Sequence, residues 1–186
     1  MDNLAFVIHN EYIHKMKGCI KLTTITFKDN PVTLLGTEVI VGNDAPNFTV
    51  LNNALEEKTL DDYSGKVKII SVVPSLDTGV CQLQTKRFNE EADKLDDVQV
   101  LTISMDLPFA QARWCGAEGI ENIDVLSDHR EASFGKKYGV LIKELRLLAR
   151  AVFVVDANDQ VVYVEYVPEV TDHPNYDAAL EAARNA

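Results

Sequence analysis

The chain has 186 residues, 46% of them hydrophobic and 25% charged, which suits one globular domain with a sizeable core and leaves little room for two. A formal net charge of −11 opposes non-specific binding to nucleic acid or anionic membrane, and no apolar run approaches the length of a membrane-spanning helix. The three cysteines, Cys19, Cys81 and Cys115, are too few and too scattered for a secreted disulfide framework, and no pair has the spacing of a zinc site or a C-x-x-C motif.

Residues 1–22 differ from the rest of the chain. Leu4 to Ile8 is apolar but short, lacks basic residues before it and is followed by no small-residue cleavage site, so it does not read as a secretory signal. Residues 1–22 are expected to be an extension, with Met16 an alternative start and Cys19 a bystander, and residues 23–186 to form the domain. From Thr23 the pattern sharpens. Ile25-Thr26-Phe27 and Val32-Thr33-Leu34 read as a hairpin around Lys28 to Pro31. Gly42 to Pro46 is a turn, Phe48 to Leu51 a short strand, and Asp61 to Gly65 a loop or single helical turn.

Val67 to Val73 is apolar apart from Lys68 and Ser71, as in a strand buried on both faces. Pro74 ends it. After the loop Ser75 to Gly79 the spacing turns helical from Cys81, with Phe88, Ala92 and Leu95 on one face. Val98 to Ile103 is a second apolar strand. Pro108 suits the first position of a helix that carries Trp114 and Cys115 and breaks at Gly116 and Gly119. Val125-Leu126 is a short strand, and Ser127-Asp128 supplies the cap of a helix through Ala132, Phe134 and Lys136, ended by Gly139. Ala151 to Asp156 and Val161 to Val167 are antiparallel strands, and Tyr176 to Arg184 is a closing helix. Alternating strands and helices between hairpins give an α/β domain: a mixed central sheet flanked by helices, of which a thioredoxin-like fold with an N-terminal β-hairpin is the simplest form.

The chemistry concentrates at Cys81. It falls on the first turn of a helix, where unpaired N–H groups and the helix dipole favour a thiolate over a thiol. Thr78, three residues earlier, can cap that helix, turn its hydroxyl to the sulfur, or both. Pro74 can fix the loop and shield the sulfur, and Gly79 lets the backbone approach closely. Arg150 opens a buried strand and needs an anion, which a thiolate, solvent or Glu165 could satisfy.

Pro74-x-x-x-Thr78-x-x-Cys81 on a strand–loop–helix resembles the active-site motif of the peroxiredoxins. SVVPSLDTGVC, TISMDLPFAQARWCGAEG and LLARAVFVVD are similar to one branch, the bacterial thiol peroxidases, which are atypical two-cysteine peroxiredoxins. The resemblance runs from about Thr24 to the C-terminus. It implies that Cys81 attacks a hydroperoxide and becomes a sulfenic acid, with Thr78, Pro74 and Arg150 completing the site. It implies that Cys115 resolves the sulfenic acid as an intramolecular disulfide after both helix ends unwind. It further implies thioredoxin as reductant, no flavin, haem or metal cofactor, organic hydroperoxides alongside hydrogen peroxide, and a cytoplasmic homodimer with no nucleic-acid or membrane partner. Leu76, Phe109 and Trp114 could supply an apolar rim. A peroxide sensor using the same cysteine pair stays open. A thioredoxin-fold disulfide oxidoreductase would want a second cysteine where Gln84 stands.

Overall fold

The computed structural model describes residues 24–95 and 97–186, so Cys19 and the extension expected over 1–22 lie outside the described residues. The chain opens with a hairpin of β1 (Ile25–Phe27) and β2 (Asn30–Val32). Its turn is only two residues long. Lys28 and Asp29 both take positive φ, 51° and 62°, in the mirror-image turn that matches strand twist. Asn30 and Pro31, expected in the turn, therefore belong to β2. Pro31 is tolerated because its partner Thr26 directs its own N–H and carbonyl away, to Pro168 and Val170.

The short strands β3 (Leu34–Leu35), β4 (Thr49–Leu51) and β5 (Glu57–Thr59) follow, then a single 3-10 turn, Leu60–Tyr63. The alternating section runs β6 (Val67–Val72), α1 (Gly79–Ala92), β7 (Val98–Ser104), α2 (Pro108–Glu118) and β8 (Asp124–Ser127). After α3 (Ser133–Lys137), β9 (Leu141–Ile142) pairs back onto β3. The hairpin of β10 (Ala151–Val155) and β11 (Val161–Tyr166) and the helix α4 (Tyr176–Arg184) complete the fold.

Seven strands form one mixed sheet in the order β11-β10-β6-β7-β8-β4-β5. β6, β7 and β8 are parallel, and the other pairings are antiparallel. Strand alternation divides the core in two. Ile69, Val73, Val100, Val152 and Val154 face a layer made with Phe88 of α1, Trp114 of α2 and Leu180 of α4. Ile70, Val72, Leu101 and Phe153 face the other side, against Phe48, Phe134 and Tyr138. Right-handed crossovers put α1 and α2 on the same face, and the first layer shows them there. Among the described residues no helix is long and apolar enough to cross a membrane.

The thioredoxin-like α/β architecture with its N-terminal hairpin stands as expected, and several local details differ. α1 begins at Gly79, two residues before the first apolar helical position. Gly116 lies inside α2, and the helix stops only at Gly119, which takes the left-handed conformation (φ 66°). The helix expected from Ser127-Asp128 starts at Ser133, because Ala132 has φ 51° and cannot be helical. Asp128 still acts as its cap from a distance: its carboxylate accepts the N–H groups of Phe134 and Gly135 at 3.1 and 2.8 Å.

Candidate active site

β6 ends where Pro74 turns the chain away from the sheet, after the Val73 N–H has donated to the Ile103 carbonyl. Thr78 holds the position just before α1, and its carbonyl accepts the first helical bond, from the Gln82 N–H at 2.9 Å. Its side chain does not cap the helix. The hydroxyl instead lies 2.7 Å from Cys81 Sγ, with the Ser75 carbonyl at 3.3 Å. Of the two roles open to Thr78 in the sequence, the structure shows the one directed at sulfur.

Cys81 is the third residue of α1 and is fully buried. Its second neighbour comes from across the sheet. The antiparallel register pairs Ala151 with Val72, which sets Arg150 beside the end of β6. The Arg150 side chain is 1% exposed, and three of its nitrogens are engaged. Nε donates to the Val170 carbonyl at 2.9 Å, Nη1 to Gln84 Oε1 at 2.5 Å and Nη2 to Cys81 Sγ at 3.3 Å. Glu165 is not its partner, since that carboxylate accepts from Tyr163 and the Asn175 N–H. A buried guanidinium is stable only where an anion and full hydrogen bonding compensate its lost hydration. Of the three groups that accept from Arg150, only the sulfur can carry a negative charge.

Gln84 is the residue that sequence reasoning passed over. It is fully buried, one helical turn beyond Cys81, and its amide spans the site from Arg150 to Ser71 Oγ at 2.8 Å. The signal was present: a glutamine on the same helical face as Cys81 and Phe88 is a polar group inside a core, which must be satisfied there.

A cavity of about 270 Å³ lies outside Thr78 and Arg150, walled by Phe27, Pro74, Val80 and Val170 among others. Pro74 thus stands at the site as expected. The apolar rim is different from the one expected. Leu76 and Trp114 are core residues at 2% and 6% exposure, and Phe109 is 69% exposed on α2.

Cys115 lies in the last turns of α2, half-buried, with Asn53 Nδ2 4.0 Å from its sulfur. Burial pushes its thiol above the ordinary range, and the Asn53 amide pulls it part of the way back. Cys81 and Cys115 are both free thiols, on neighbouring helices over one apolar layer. Four of the five expected residues, Cys81, Thr78, Arg150 and Pro74, therefore meet at one place, and Cys115 stands apart.

This arrangement has known counterparts. The family model described as Redoxin matches residues 40–180. The chain belongs to the Redoxin family. Among curated relatives of this redoxin, the thiol peroxidase of Oceanobacillus iheyensis is 67% identical over 159 residues, which cover 86% of this chain and 97% of that one. The thiol peroxidase of Bacillus subtilis is 67% identical over 163 residues, 88% of this chain and 98% of the relative. Among solved structures, a peroxiredoxin-like protein from Aquifex aeolicus superposes with a TM-score of 0.82 at 44% identity, covering 88% of this redoxin and 96% of that chain. A thiol peroxidase from Chromobacterium violaceum superposes with a TM-score of 0.81 at 24% identity, over 89% of this chain and 97% of that one, and speaks for the fold alone.

Proposed function

We propose that this redoxin is a thiol-dependent peroxidase whose nucleophile is Cys81. The observation that carries the reading is the buried sulfur held between the Thr78 hydroxyl and the Arg150 guanidinium, behind a cavity open to a small substrate. The Cys81 thiolate attacks the terminal oxygen of a hydroperoxide. The O–O bond breaks, its electron pair leaves on an alkoxide or hydroxide that takes up a proton, and the sulfur becomes a sulfenic acid. Charge moves from sulfur to the peroxide oxygens during this step. The Thr78 hydroxyl and the Arg150 Nη2 donor, both beside Sγ, stand close enough to follow that charge onto the peroxide oxygens. Pro74 keeps the loop closed over the sulfur.

Cys115 then attacks the sulfenic sulfur. An S–S bond forms, the S–O bond breaks and the oxygen leaves as water. A disulfide needs Cα atoms within about 7 Å, so the first turn of α1 and the end of α2 unwind to let the sulfurs meet. A thioredoxin-type dithiol returns both cysteines to thiols, supplying the two electrons that the peroxide removed. No flavin, haem or metal enters this cycle. The reading extends to organic hydroperoxides alongside hydrogen peroxide, for which Phe27, Val80 and Val170 offer an apolar wall, and to a cytoplasmic homodimer.

The test is peroxide consumption coupled to thioredoxin and its reductase. Cys81→Ser is expected to be inactive. Cys115→Ser is expected to complete one turnover and stall as a sulfenic acid that a dimedone-type reagent traps. Peptide mass mapping of wild type after one equivalent of peroxide should find Cys81 joined to Cys115, and the absence of that linkage would rule out the two-cysteine cycle. Rapid reaction of Cys81 with no sustained turnover would favour a peroxide sensor instead.

A further inference from the structure

Away from the sulfur, one carboxylate joins the two segments that carry the cysteines. Asp106 lies between the end of β7 and the start of α2, two residues before Pro108. Its carboxylate accepts from Ser75 Oγ and the Leu76 N–H, each at 2.7 Å, and from Ser104 Oγ at 2.8 Å. Ser75 and Leu76 belong to the loop between β6 and α1. The Ser75 carbonyl in turn accepts the Thr78 N–H at 3.2 Å and lies 3.3 Å from the Thr78 hydroxyl, the group that donates to Cys81. On its other side Asp106 is held by the end of β8, and its partner Ser104 by α2. The Asp106 carbonyl accepts from Ser127 Oγ at 2.5 Å, and Gln111 of α2 donates to Ser104 Oγ at 3.0 Å.

We infer that Asp106 is a positioning residue that holds the Cys81 loop in its reactive, closed form and sets how readily that loop opens toward Cys115. The inference rests on the peroxidase reading above. The physical basis is the number of donors. An ionised carboxylate has lone pairs for all three, whereas an amide of the same shape offers one oxygen and presents two N–H groups to the rest. Three of the links from Asp106 to Cys81 are hydrogen bonds across a loop that has no ladder of its own. Loss of the first therefore loosens the Thr78 hydroxyl from the sulfur. The same looseness favours unwinding of the first turn of α1, which the resolving step needs. One carboxylate thus acts on two steps in opposite directions: it favours the first reaction and restrains the second.

This opposition separates positioning from general support of the fold. In Asp106→Asn, the rate constant for sulfenic acid formation is expected to fall about tenfold, the equivalent of one hydrogen bond to a charged group. Disulfide formation from the preformed sulfenic acid is expected to quicken. Over-oxidation to the sulfinic acid, which competes with resolution, should then need more peroxide. Ser75→Ala removes a single donor and keeps the carboxylate paired with Leu76. It should show the same split with smaller amplitude, and it serves if Asp106→Asn does not fold. Rates would be read by rapid quench and intact mass at several peroxide concentrations. An unchanged first step, or a parallel fall in both steps, would overturn the role of Asp106 while leaving the peroxidase reading intact. Failure of the wild type to form the Cys81–Cys115 disulfide would overturn that reading and this inference with it.

Discussion

Arg150→Met is the sharpest perturbation of the site, because methionine fills much of the same buried volume while removing the charge and every donor. Nη2 stands 3.3 Å from Cys81 Sγ. At that distance and an effective dielectric of ~20, a full ion pair would interact by about 5 kcal/mol, which is an upper bound. A hydrogen bond to a charged group contributes about 1.5–3 kcal/mol net, so the peroxide reaction should slow by roughly 10- to 150-fold. Stability should fall as well, since Gln84 Oε1 and the Val170 carbonyl lose their donor, at about 1–3 kcal/mol for each buried group left unpaired. Arg150→Lys keeps a charge but cannot fork to three acceptors, and should fall between wild type and Arg150→Met. The assay is a stopped-flow single turnover. Trp114, the chain's one tryptophan, lies next to Cys115 and supplies the signal. A denaturant melt of each variant shows whether it is folded. A folded Arg150→Met that consumes peroxide at the wild-type rate would refute the electrostatic role.

Thr78→Val keeps the shape of the loop and deletes the hydroxyl 2.7 Å from the sulfur. Sulfenic acid formation should slow about tenfold, as the loss of one bond to a charged group implies, and stopped-flow rates measure it. Because burial holds the Cys115 thiol above its ordinary range, its thiolate is scarce at neutral pH. The rate of disulfide formation should therefore climb from about pH 6 to about pH 9, and a flat profile in quenched samples would count against Cys115 as the attacking thiol. Asp128 is buried, and burial raises its carboxyl from 3.8 to about 6 against the N–H groups of Gly135 and Phe134. The folded state then holds a proton that the unfolded chain releases, so stability should decline from about pH 4 to about pH 6 by about 3 kcal/mol in all, and Asp128→Asn should flatten that decline in urea melts.

How far the sequence could be read depended on whether the physical signal was local. The strand at Val67, the proline at the first position of α2 and the spacing of α4 all announce themselves within a few residues, and each stands where periodicity put it. The strands β3 and β9 have two residues each and exist only because each pairs with the other, a partner distant in the chain. No window of sequence contains that partner. The site divides in the same way. Thr78 and Cys81 share one turn and can be paired from spacing. Arg150 and Gln84 are 66 residues apart, and their bond follows from the register of β10 on β6. The sequence singled out Arg150 but left its partner open among a thiolate, solvent and Glu165, and the structure shows it on Cys81 with Glu165 engaged by Tyr163 and Asn175.

The same topology defines what the resolving step has to overcome. α1 and α2 both leave the sheet from the same edge, after the parallel strands β6 and β7, and cover the same apolar layer. Cys81 is the third residue of α1 and Cys115 the eighth of α2. Both cysteines are free, so the two sulfurs have to be brought together before a disulfide can form. The bodies of the helices are also fastened to one another. Lys86 pairs with Glu118 at 2.5 Å, and Asn122, beyond α2, donates to Asn89 of α1 and to Asp93 just past its end. All of these links lie at or beyond the level of Lys86, and none restrains the turn from Gly79 to Gln82. Movement is therefore easier for Cys81 than for the helix body behind it. That turn is the one whose preceding loop Asp106 holds through Ser75 and Leu76. In the proposed cycle, oxidation of the sulfur weakens the Arg150 contact that holds Cys81 in place.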